Sequence, residues 1–218
     1  YPKLVNVMAQ PDSSLEQIAA VIVTDPGLSA KLLQVVNSAF FGLPFKVASV
    51  PQAVSYLGLT SLRALVLLTS VFAAAEGCPL VDGFSAPRLQ RHSLLCARLA
   101  RSLVTQRANR DDAFTGGLLH DIGMLALAVG MNKRYALALR HAERSGRPLA
   151  EVETSFLGTS HVAVGAYLAS VWGLPGVVVD SIELHHDADA TDVEHADVVN
   201  AVRLAQRAVE CFETRDQP

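Results

Sequence analysis

Seven histidines stand in this chain, and five of them fall near helix ends or on apolar helices: His92, His120, His161, His185 and His186. Asp121 follows His120 directly in GLLHDIGM (117–124). Both side-chain types bind metals, and a mixture of imidazole and carboxylate donors suits zinc, iron, manganese or nickel. One buried histidine needs only one donor and one acceptor, so alone it is ordinarily a satisfied core residue. Five, with a carboxylate beside one of them, point to a site for one or two divalent ions. The plainer alternative is a polar cluster satisfied by hydrogen bonds and water. Adjacent residues of a helix point about 100° apart. The His120–Asp121 pair is therefore expected to place two ligands around a metal pair, or one ligand and an outer hydrogen-bonding partner.

The elements that must position these residues all read as helices. Ser13 and Glu16 have capping-box spacing, and Leu15, Ile18, Ala19 and Ile22 then follow a helical stripe. Asp25 caps and Pro26 opens a second helix, with Leu28, Leu32, Val35 and Val36 inside. SVPQAVSYLG (49–58) is a short helix closed by Gly58, and Thr60 can cap an apolar helix over 61–75. The glycines and prolines of EGCPLVDGFSAP (76–87) break the pattern. They divide one domain, 1–218, into an N-terminal helical part (1–80) and a C-terminal one (81–218). The spacing then predicts helices over 86–107 with His92, 111–129 with His120 and Asp121, 133–145, 148–157, 160–171 from His161, 176–186 ending in His185 and His186, and 193–211. No alternating strand pattern and no internal repeat interrupts this all-α reading.

The totals agree. Half of the 218 residues are apolar and 18% are charged, which supplies a core, and a net charge of −3 gives no reason to expect nucleic acid. The chain opens on Tyr1, as a piece of something longer would. Cys78, Cys96 and Cys211 are odd in number and form no CxxC, so reduced thiols and a cytoplasmic location are expected. No signal peptide opens the chain. The most apolar run, 62–75, is too short and too interrupted by Arg63, Thr69 and Ser70 to cross about 30 Å of hydrocarbon, so no membrane partner is expected.

RHSLLCARLA (91–100), GLLHDIG (117–123), SHVAVGAYLASVWGLP (160–175) and ELHHDA (183–188) resemble the HD superfamily of metal-dependent phosphohydrolases. Within it they resemble most the HDOD domain, a bacterial signalling relative of the HD-GYP domain. DPGLSAKLLQVVNSAFFG (25–42) resembles that domain's DP-L…NSA-FG signature, and SVPQAVSYLGLTSLRALVL (49–67) its Q-A-LG helix pair. The resemblance covers nearly the whole chain. It implies an HD-like helical bundle with an N-terminal HDOD subdomain. It also implies metal ligation by His92, His120, Asp121, His161 and His185, with His186 as a neighbouring ligand or outer group. A late aspartate on the last helix would complete the set. The setting implied is signal transduction, with a signalling protein or a fused receiver-type domain as partner, or a nucleotide as ligand.

Three departures shape the functional expectation. Gln206 stands where the late aspartate would fall, Met124 replaces the lysine of HDIGK, and DADATDVEHAD follows His186 where a GYP-like segment would be. A glutamine amide is a poorer hard-metal ligand than a carboxylate, and a methionine cannot stabilise phosphate charge as a lysine does. The leading expectation is a regulatory domain that acts by protein or nucleotide binding, without turnover and with no catalytic residue assigned. The alternative is a metal-dependent phosphohydrolase or cyclic-nucleotide phosphodiesterase in which Asp121 is catalytic.

Other residues carry smaller expectations. Asn37 is read as a left-handed or capping residue ending a helix. Phe40, Phe41 and Phe45 are read as a plug between the two parts, and Trp172 as core. Arg88, Arg91, Arg98 and Arg101 are read as a wet helix face, with Arg107 and Arg110 beyond it. Asp187, Asp189 and Asp192 are read as a solvated acidic loop, and His141 and His195 as facing solvent without partners.

Overall fold

The computed structural model describes residues 7, 14–37, 45–75, 81–187 and 195–215, and among them every regular element is helical. The first helix, α1 (Leu15–Val23), begins in a capping box one residue later than the spacing suggested. Ser14 accepts from the Gln17 backbone and the Gln17 side chain accepts from Ser14. Ser14 and Gln17 offer the same spacing as Ser13 and Glu16, so sequence alone leaves the register open. Asp25 accepts from Leu28 N at 3.0 Å to start α2 (Pro26–Val36), which buries Leu28, Leu32 and Val36 and half-buries Val35.

Asn37 caps the end of α2, its N–H donating to Leu33 O, without taking the left-handed conformation (φ −84°). Its amide instead spans ten residues, accepting from Val47 N at 2.7 Å and donating to Val47 O at 2.8 Å. It thereby supplies the two backbone bonds that a strand partner would give Val47. Phe40 and Phe41 lie outside the described residues. Phe45 is no plug: it is 47% exposed, edge-on to Tyr56 at 5.8 Å.

Helix α3 (Val50–Ala75) is two helices meeting at Gly58, whose φ of 73° is costly for any residue with a Cβ. After Ser85, which caps through Arg88 N, come α4 (Ala86–Leu103) and a 3₁₀ turn at Arg107–Asn109. The predicted single helix over 111–129 is two, α5 (Arg110–Leu119) and α6 (Ile122–Gly130), broken at His120–Asp121. The remaining helices are α7 (Asn132–Ser145), α8 (Leu149–Leu157), α9 (His161–Val171), α10 (Gly176–Glu183) and α11 (Ala196–Arg215). The last runs beyond its predicted end at 211.

Helix α5 is the hub. Residues 113–119 are all buried, and the helix packs on α3, α4, α10 and α11. A helix apolar on all sides belongs in the middle of a bundle. One apolar cluster runs without a break from Ile18 on α1 through Leu62 and Leu118 to Ile182 on α10. A second lies between α4 and α11, around Ala100, Val202 and Ala205. Among the described residues, the stretch Arg107–Gly130 is long and apolar enough to cross a membrane by length and composition, and 78% of its apolar window is buried in the protein.

Candidate metal centre

Five of the site residues sit at helix ends or breaks, where backbone geometry can aim a side chain inward. His120 and Asp121 occupy the break between α5 and α6, and His161 is the first residue of α9, behind the cap made by Ser160. His185 and His186 lie just past the Leu184 cap of α10, which ends three residues short of its predicted end at 186, and His92 lies within α4. Two glycines of the GLLHDIG stretch allow these elements to meet. A Cβ on Gly117 would stand 2.9 Å from the Ala97 backbone of α4, and one on Gly123 would overlap the His161 carbonyl of α9. The stretch therefore draws in one histidine-bearing helix on each side of the HD pair.

The structure brings all six predicted residues together around Asp121. Its Oδ2 lies 3.2 Å from His120 Nε2 and 3.9 Å from His92 Nε2. Its Oδ1 lies 3.5 Å from His185 Nε2 and 3.7 Å from His161 Nε2. His161 Nε2 in turn lies 3.1 Å from His186 Nε2. Asp121 leaves the helix (φ −103°, ψ 13°) and its carboxylate turns back toward His120, and the pair still divides between two donor groups, His120 with His92 and Cys96, Asp121 with His161, His185 and His186.

The outward nitrogens explain this convergence. His120 Nδ1 donates to Gly117 O at 2.8 Å, and His185 Nδ1 to Ile182 O at 2.6 Å. Carbonyls only accept, so in the neutral rings both Nε2 atoms carry lone pairs. His161 Nδ1 meets Glu153 Oε2 at 2.6 Å, and His92 Nδ1 meets Glu213 Oε2 at 3.2 Å. This outer set of carbonyls and carboxylates is what orients metal-binding histidines. His120 Nε2 and His185 Nε2 are fully buried and lack an aligned hydrogen-bond partner, although His120 is in close charge contact with Asp121. Lone pairs gathered around one carboxylate call for protons, water or a metal ion between them. The donor set fits a metal.

The charges respond accordingly. Burial would raise the Asp121 carboxyl, but the His120, His185 and His161 imidazoles hold it well below the usual carboxylate range. Burial opposes charge on His120 too, and Asp121 overcomes it, raising that imidazole. Burial pushes His185 down, and His186 falls to about 3 through desolvation of its inner side and the neighbouring His185 and His161.

Three participants were not singled out from the sequence. Glu153, fully buried on α8, accepts from both the backbone N (2.7 Å) and Nδ1 of His161. Glu213 on α11 braces His92. Cys96, fully buried, places Sγ 3.4 Å from His92 Nε2, and burial pushes its thiol up. Glu153→Gln keeps the shape but removes the charge behind His161. Metal affinity is expected to fall about 10–100-fold, measured by competition with a chromophoric chelator.

The departures also have places in the structure. Gln206 is buried on α11, donates to Glu210 at 3.0 Å and leaves its own carbonyl oxygen unpartnered. Met124 is half-buried against apolar neighbours. Asp187 is exposed, while Asp189 and Asp192 lie outside the described residues. His195 is not a free surface residue: it is half-buried and pairs with Asp180 at 2.7 Å. Trp172 reaches the core only in part. Arg101, half-buried, pairs with Asp111 at 3.3 Å, whereas Arg88, Arg91 and Arg98 are exposed.

Fold and site together define an all-helical domain with an HD-type histidine–aspartate centre. The chain belongs to the HDOD domain family, whose model matches residues 1–188. It is 26% identical over 205 residues to an uncharacterized protein of Treponema pallidum, covering 94% of this chain but only 40% of that protein. Among solved structures it resembles an HDOD domain protein of unknown function from Geobacter sulfurreducens (26% identity, TM-score 0.74, 98% of this chain and 71% of that one). It also resembles a candidate phosphohydrolase from Shewanella amazonensis (25% identity, TM-score 0.74, 97% and 75%). A third neighbour is the MmoQ response regulator of Methylococcus capsulatus (28% identity, TM-score 0.55, 100% and 85%).

Proposed function

We propose that this chain is a metal-holding regulatory HDOD domain of a cytoplasmic signalling protein. It acts by binding a signalling partner or a fused receiver-type domain, or by sensing a nucleotide, and not by turnover. The observation that carries the reading is the apolar residue after HDIG. His120 and His185 have fully buried side chains, Asp121 is only 9% exposed and His186 is exposed, and the residue after HDIG is the half-buried apolar Met124. A phosphate ester would meet no lysine at that position to stabilise its charge. The MmoQ neighbour, a response regulator by name, supports the signalling setting. His92, His120, Asp121, His161, His185 and His186 would hold one or two ions, which would supply Lewis acidity and a cross-link between α4, the α5–α6 break, α9 and the end of α10.

The test is an assay of metal-replete protein against cyclic dinucleotides and simple phosphate esters. Bound transition metal without turnover is expected. Turnover that Asp121→Ala or His120→Ala abolishes would overturn the reading. It would instead establish the second one, a metal-dependent phosphohydrolase. That reading draws on one observation: Asp121 presents one oxygen to each of two donor groups, as a carboxylate shared by two ions would.

A further inference from the structure

The two groups around Asp121 differ in chemistry. Asp121, His161, His185 and His186 offer only nitrogen and oxygen, whereas His92, Cys96 and His120 include sulfur. His92 and Cys96 are one turn apart on α4, so both project from the same face. Cys96 Sγ lies 3.4 Å from His92 Nε2, and one donor atom each from His92, Cys96 and His120 falls within 4.8 Å of the others. His120 Nε2 is buried and without an aligned partner, and it belongs to this group. Glu213 holds His92 by its other nitrogen, leaving Nε2 turned toward the sulfur.

We propose that His92, Cys96 and His120 form a sulfur-containing zinc site, separate in donor chemistry from the nitrogen–oxygen site beside it. The inference rests on the reading that the centre holds metal. Thiolate and imidazole together favour zinc over the harder manganese, and zinc accepts such mixed sets in tetrahedral geometry. Asp121 Oδ2, 3.2 Å from His120 and 3.9 Å from His92, faces the same space. On binding, the ion displaces the Cys96 thiol proton to solvent and a metal–sulfur bond forms, with no change of oxidation state. The competing account is a simple hydrogen bond from the thiol to His92. It predicts a protonated sulfur whatever the metal content.

Cobalt(II) titration of the folded, metal-stripped protein separates the two. A sulfur-to-cobalt charge-transfer band is expected in the wild type and in a Cys78→Ser/Cys211→Ser control. Cys96→Ser should lose the band and bind one cobalt fewer. Zinc-edge X-ray absorption of the wild type should show a sulfur neighbour at about 2.3 Å. That measurement decides the matter alone if Cys96→Ser fails to fold. Cobalt binding without the band, or a band that survives in Cys96→Ser, would overturn the inference while leaving the metal-holding reading intact. Failure of the folded protein to bind cobalt or zinc at all would overturn both.

Discussion

Asp121→Asn is expected to strip the protein of metal and to abolish its thermal response to chelators. The substitution keeps the volume and removes the charge at the one residue that faces both donor groups, within 3.2–3.9 Å of His120, His92, His185 and His161. A ligand that binds only the folded state stabilises it by about 4 kcal/mol at a thousand times its dissociation constant. In a domain of this size each kcal/mol moves the melting temperature by about 2–4 °C. Chelation should therefore lower the wild-type Tm by roughly 8–16 °C, and leave Asp121→Asn unmoved at the lower value. Calorimetry with and without chelator, beside elemental analysis of both proteins, reads the result. A wild-type Tm indifferent to chelation would mean that the imidazoles are held by protons and hydrogen bonds alone.

That prediction depends on residues visible in the sequence, because histidines are few and five of them fell near helix ends or on apolar helices. Which oxygen faces which ring was not visible. The HD pair was read as lying inside a helix, where neighbours diverge. The break at Asp121 brings its carboxylate within 3.2 Å of His120 and sets it between the two donor groups. The outer partners were hidden for separate reasons. Glu153 looks like an ordinary helix-surface glutamate, yet its neighbours Val152 and Leu157 are buried and it shares their environment. Glu213 lay beyond the predicted end of the last helix. Cys96 carries no signal in the cysteine spacing, and its partner His92 stands one turn before it on the same helix. In the N-terminal half, the caps at Asp25 and Pro26 and the break at Gly58 were legible because they depend on single residues. The pairing of Asn37 with Val47 was not, since it joins residues ten apart through a loop that no local rule specifies.

Gly123→Ala is expected to damage stability and metal binding together, and a second alanine in the same helix separates the two causes. A Cβ at Gly123 would overlap the carbonyl oxygen of His161 and stand 2.8 Å from Gly165 N, so α6 and α9 must move apart. Overpacking of this kind costs about 1–3 kcal/mol or more, because backbone cannot yield as a side chain can. The movement also carries His161, the first residue of α9, away from Asp121 and His186. Metal–ligand distances tolerate only about ±0.2 Å, so the nitrogen–oxygen group should lose its ion even where the helices still form. Gly130 ends α6, and a Cβ there meets nothing within 4 Å. Gly130→Ala should therefore stabilise by about 0.4–1 kcal/mol, mainly by restricting the unfolded chain, and leave metal content unchanged. Urea titrations give opposite signs for the two variants, and metal analysis shows a loss in Gly123→Ala alone, if the glycine contact sets the position of His161. Equal behaviour would mean that the cap at Ser160 and the bond to Glu153 hold His161 without help from α6.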